Sequence, residues 1–181
     1  MSLSEDGKPA VQKHSRKREI TSWLIGIIML AILGVFIGVR LADNVARSVK
    51  VPPNIEQSYK TPIYLPEKLP GNYKTIEDSF TLQEEVLIFQ AKDGAGGTIV
   101  FTEQPKPKDV NFEDFYAQQF KDAETLDNVP YPSVTGKSSA NNSSVLSIVT
   151  DEVWIIASSR SPISAGDLEI LAKSIKPYDA Q

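Results

Sequence analysis

Hydrophobic and polar positions divide this chain into three regimes. Residues 1–19, MSLSEDGKPAVQKHSRKRE, are polar and show no apolar period, which predicts a disordered tail. Ile20 to Val39, ITSWLIGIIMLAILGVFIGV, is an uncharged and mostly apolar run. At about 1.5 Å rise per residue, a helix of that length reaches roughly 30 Å, the thickness of a bilayer's hydrocarbon core. A lone segment in lipid satisfies its own backbone only as a helix. The pattern therefore predicts one transmembrane helix over 20–39. After Val51 the apolar runs become short and are separated by turn residues, as expected of strands.

Between these regimes, Arg40 to Lys50 places Leu41, Val45 and Val49 on one helical stripe, a stalk that Pro52 and Pro53 are expected to end. Residues 40–61 are thus read as stalk and linker, with 51–61 the linker. The outer domain is expected over 62–177, followed by a tail, 178–181. Within it, Ile63 and Leu65 suggest a short extended strand before the turn Pro70-Gly71-Asn72. Glu84–Lys92 and Thr98–Thr102 predict a strand hairpin around Asp93–Gly97. Asn111 is a candidate cap for a helix whose Phe112, Phe115, Tyr116 and Phe120 share a stripe, suited to packing on a sheet. Val129-Pro130-Tyr131-Pro132 predicts an irregular or edge strand, and Lys137–Ser144 a polar turn. Val145–Thr150 and Val153–Ser159 predict a second hairpin. Ser164 is expected to cap a last helix carrying Leu168, Leu171, Ala172 and Ile175, with Pro177 as its stop. The order predicts an α+β fold: a single N-terminal transmembrane helix, then a curved antiparallel sheet with two helices on one face.

Charge adds orientation. Residues 1–50 hold eight Lys/Arg and four Asp/Glu, whereas 51–181 hold eleven and nineteen. Lys8, Lys13, Arg16, Lys17 and Arg18 precede the apolar run, and Arg40, Arg47 and Lys50 follow it. The more basic flank stays cytoplasmic, so the N-terminus is expected inside and the acidic domain outside the plasma (inner) membrane. An acidic domain is a poor partner for nucleic acid, whose phosphates require a basic surface. The apolar run exceeds the usual core of a cleaved signal, and Arg47 sits inside the nearest small-residue pair, Ala46 and Ser48. An uncleaved anchor follows. Gly34 and Gly38 have the spacing of close helix contacts, a pattern common by chance in apolar segments.

Candidate chemistry is sparse. The chain has no cysteine, and its one histidine, His14, lies in the polar tail. The glycines of Asp93–Gly97 precede a strand rather than a helix and lack a Lys-Ser/Thr end, so they form a turn and no phosphate cradle. Asn141 and Asn142 head overlapping glycosylation sequons but are read as turn residues. The pairs Glu84-Glu85, Glu113-Asp114 and Asp151-Glu152 are adjacent in sequence, whereas paired-carboxylate catalysis draws its two acids from different elements. No catalytic, cofactor-binding or metal-ligating residue is assigned, and no cofactor is expected.

Leu65-Pro66 with Gly71 and Tyr73, Trp154-Ile155 in the late strand, and Ser164 through Ile175 carry a resemblance. Residues 62–177 resemble a bacterial membrane-anchored extracytoplasmic domain of unknown function, of the kind found behind anti-sigma-factor modules. That domain is distantly similar to lipoprotein-sorting carrier domains. The resemblance implies a curved antiparallel sheet crossed by helices. A cytoplasmic part of about nineteen residues is too short for a sigma-binding bundle. The expected function is a non-catalytic, membrane-spanning protein whose outer domain is a binding or interaction domain at the cell envelope, meeting a protein partner or sensing or holding an apolar ligand or peptide. The alternative is a structural subunit of a secretion or pilus-like envelope complex.

Overall fold

A computed structural model describes residues 49–179. The predicted transmembrane helix, the basic tail with His14, the pair Gly34 and Gly38, and most of the stalk lie outside the described residues. Among the described residues, no helix is long and apolar enough to cross a membrane.

The described chain is α+β, with a mostly antiparallel sheet and few helices. Its strands are β1 (Tyr64–Pro66), β2 (Lys74–Thr75), β3 (Thr81–Gln83), β4 (Val86–Lys92), β5 (Thr98–Pro105), β6 (Phe120–Leu126), β7 (Ser133–Ser138), β8 (Ser144–Val149), β9 (Val153–Ser159) and β10 (Ile175–Pro177). Its helices are α1 (Pro53–Ser58), α2 (Phe112–Gln119) and α3 (Ala165–Ser174). The large sheet runs β2-β4-β5-β9-β8-β7-β6, with β3 also paired to β4. A separate small sheet joins β1 to β10, near the two ends of the described chain.

The two predicted hairpins form as expected. Between β4 and β5, Asp93 accepts hydrogen bonds from the N–H groups of Ala95 (2.9 Å) and Gly97 (2.6 Å), and Gly96 takes a left-handed φ of 91°. These glycines serve a turn. Asn111 caps α2 by accepting from the N–H groups of Glu113 and Asp114, and Ser164 caps α3 by accepting from Asp167. Each cap satisfies backbone donors that the first helical turn leaves unpaired.

Besides Val129–Pro132, which form the loop between β6 and β7 and no strand, four expectations change. First, residues 51–61 are not a linker. Pro53 begins α1 instead of only ending a stalk, because a proline at the first helical position has no N–H to lose. Val51, Ile55 and Tyr59 are buried in the main core. Second, the helices α2 and α3 lie on opposite faces of the large sheet. Leu168, Leu171 and Ala172 of α3 join the core built on Leu87, Phe89, Phe101, Leu146, Ile148 and Ile155. Phe112 and Phe115 of α2 instead pack on Trp154, which alternation points to the other face from Val153 and Ile155. Third, Phe120 ends α2 and opens β6 rather than extending the helical stripe; it still meets Phe115 edge-on. Fourth, α3 stops at Ser174. Ile175 and Lys176 leave it to pair with Pro66 and Leu65.

Strand β6 is one edge of the large sheet. Lys121, Asp122 and Glu124 make it charged, and a bulge between Lys121 and Glu124 interrupts its pairing. Both devices discourage pairing with another chain.

Candidate functional site

Alternation along β5 places Ile99, Phe101 and Glu103 on the core face. Register sets Glu103 between Leu87 of β4 and Ile155 of β9, so a carboxyl group stands among apolar side chains in the middle of the sheet. It is completely buried. Its Oε2 accepts a hydrogen bond of 3.0 Å from the backbone N–H of Tyr64, the first residue of β1. Oε1 is buried and has no hydrogen-bond partner among the described residues.

Burial holds the Glu103 carboxyl well above the usual carboxylate range, and the Tyr64 N–H opposes this only in part. Tyr59 lies close enough for the Glu103 charge to act on it. Burial first, and that charge second, raise the Tyr59 phenol far above its ordinary value. The Tyr59 hydroxyl is near Thr61 yet makes no hydrogen bond of good geometry. The cluster Tyr59, Tyr64 and Glu103 thus joins the N-terminal arm to the centre of the sheet through a carboxyl that burial keeps neutral over a raised pH range.

A second polar cluster sits on the opposite face, under α2. The Trp154 indole Nε1–H donates to Ser147 Oγ at 2.8 Å, and the Tyr116 hydroxyl lies 3.0 Å from the same oxygen. Phe112 and Phe115 meet the Trp154 ring edge-on at centroid distances of 5.2 and 4.9 Å. Burial raises the Tyr116 phenol. These contacts fasten α2 to the sheet. Its aromatic stripe packs on a strand surface, as its spacing suggests, with the rings half-buried.

The acidic pairs singled out in the sequence are not brought together. Glu84-Glu85 forms the exposed β3–β4 turn, Asp151-Glu152 the exposed β8–β9 turn, and Glu113-Asp114 the exposed first turn of α2. Among the described residues, no group of three or more His, Asp or Glu side chains is placed to hold a metal ion. Glu103 was not among the acidic residues singled out from the sequence. Its signal is present in TIVFTEQP, where it falls two residues beyond Phe101 on the apolar face.

The fold class is therefore an α+β domain on a mostly antiparallel sheet. No family model, no curated protein and no solved structure matches the chain.

Proposed function

We propose that this is a single-pass membrane protein whose acidic α+β domain binds a protein partner on the extracytoplasmic side, without catalysing a reaction. The observation that carries this reading is the uncharged run Ile20–Val39, long enough as a helix to cross a bilayer. The resemblance of residues 62–177 to membrane-anchored extracytoplasmic domains supports it, and would make the sheet a curved scaffold. The excess of basic residues before the apolar run supports the orientation.

The choice of a protein over an apolar ligand rests on packing. The core face of the large sheet carries Val51, Ile55, Tyr59 and Ile63 of the arm together with Leu168 and Leu171 of α3. That face is filled by the chain itself.

The test is protease access to the full chain in spheroplasts, followed by crosslinking in the same membranes. Digestion of the domain by added protease, with the 20–39 segment retained in the mature chain, is the expected result. A domain protected until the membrane is opened, or a mature chain beginning beyond residue 39, overturns the reading.

A further inference from the structure

Val51 to Tyr64 runs over the core face of the large sheet and buries Val51, Ile55, Tyr59, Ile63 and Tyr64. Its backbone ties are few. Ile63 accepts from the N–H of Tyr178 at 2.8 Å, and Tyr64 pairs with Pro177. Both of those ties lead to the C-terminal residues. Among the described residues, its one hydrogen bond to the large sheet is that of Tyr64 N–H to Glu103. The strap is therefore held down by apolar contact, by the edge-on meeting of the Tyr64 and Tyr131 rings at 5.7 Å, and by one polar latch onto the large sheet.

We propose that Val51–Tyr64 is a releasable strap whose closure over the sheet is set by the protonation of Glu103. The neutral carboxyl accepts the Tyr64 N–H while its remaining oxygen stays buried without cost of charge. The carboxylate is different. It places a full charge between Leu87 and Ile155 with one donor, and burial of a charge so poorly paired is strongly unfavourable. The other groups facing it bring no relief. The strap contributes the phenol of Tyr59; the β3–β4 turn contributes Glu85, which acts on Tyr59 with the same sign; α3 contributes Leu168, Leu171 and Ala172 to this face. Lifting the strap brings water to Glu103 without breaking the β4, β5, β9 and β8 ladders. Local opening is thus a cheaper escape than global unfolding.

The direction follows from linkage. The closed state holds the Glu103 proton more tightly than the open state, because burial raises its affinity there. Closure is favoured in full below the ordinary carboxylate range and weakens as pH rises toward the raised value, by at most about tenfold per pH unit for one proton. This device does not depend on membrane anchoring.

The experiment is hydrogen exchange on the full chain in detergent micelles, across a pH series corrected for intrinsic exchange, comparing residues 51–66 with 144–159. Strap protection is expected to fall with pH, by up to about tenfold per unit inside the window, while 144–159 stays protected. Glu103→Gln, which keeps an acceptor for Tyr64 but cannot ionise, is expected to flatten the strap's dependence. Flat strap protection in the wild type, parallel loss in both segments, or an unchanged dependence in E103Q overturns the proposal. Carbon NMR of the Glu103 carboxyl in the wild type gives an arm independent of that variant. Its titration midpoint must coincide with strap opening, and a midpoint displaced from it overturns the proposal equally.

Discussion

The backbone N–H of Tyr64 donates to the buried Oε2 of Glu103 across a sequence separation of 39 residues. One partner opens the small sheet that joins the two ends of the described chain, and the other stands at the centre of the large one. A single side chain thereby links the two sheets. Its neighbours are apolar, so the bond is shielded from water on every side that the register defines.

Glu103→Ala removes the acceptor, strands the Tyr64 N–H and leaves a void between Leu87 and Ile155. An unpaired buried donor costs about 1–3 kcal/mol, with a further loss from the cavity, so a destabilisation of roughly 2–4 kcal/mol is expected. Urea unfolding at a pH near the ordinary carboxylate value, where the buried Glu103 proton does not yet weaken the wild type, measures it, with the midpoint compared at a constant slope. A midpoint unchanged from the wild type counts against a structural role for the bond.

Ser147 serves both the Trp154 indole and the Tyr116 hydroxyl. Ser147→Ala leaves the indole N–H unpaired under α2, an expected cost of about 1–3 kcal/mol. Tyr116→Phe keeps the Trp154–Ser147 bond and is expected to cost about 1 kcal/mol or less. The order of the two variants in thermal unfolding decides the matter. Trp154 fluorescence, in a chain where Trp23 is replaced by Phe, should shift in S147A and hold in Y116F.

The local elements were legible because their determinants are local. Asn111 and Ser164 precede apolar stripes and cap the helices that follow; Asp93 with its glycines closes a hairpin. What escaped is non-local. A helical stripe says that one side of α2 is buried, but which face of the sheet it meets depends on how the chain crosses from β5 to β6. Pro52 and Pro53 were ambiguous for a related reason: a proline ends the helix before it and starts one after it with equal ease. The alternation that put Glu103 on the Phe101 face was in plain view, yet its partner, Tyr64, came from a distant segment that no spacing announced.

Two glycine substitutions should act in opposite directions. A Cβ at Gly136 would lie 2.9 Å from the Lys121 carbonyl oxygen and 3.3 Å from Phe120 Cβ, where the bulged edge strand crosses close to β7. Backbone cannot swing aside as a side chain can, so Gly136→Ala is expected to cost about 1–3 kcal/mol. Gly166 lies in the first turn of α3 with open space around the same position. Gly166→Ala is expected to add about 0.4–1 kcal/mol by restricting the unfolded chain. Thermal midpoints of the two variants should fall on either side of the wild type.

The arm's place in the core makes a final prediction about where the domain begins. If 51–61 were only a linker, Ile55→Ala would change little. In the structure Ile55 is 6 % exposed and packs in the same cluster as Val51 and Tyr59. Truncating a buried isoleucine to alanine costs about 2–5 kcal/mol, a large share of the roughly 5–15 kcal/mol that holds an ordinary domain together. Glu56, the next residue on α1, stands outside that cluster, and its replacement by alanine should stay within about 0.5 kcal/mol. Denaturant unfolding of the pair separates the alternatives. Equal midpoints would return the arm to the status of a tether; a marked fall for I55A alone places the start of the cooperative unit before Pro62.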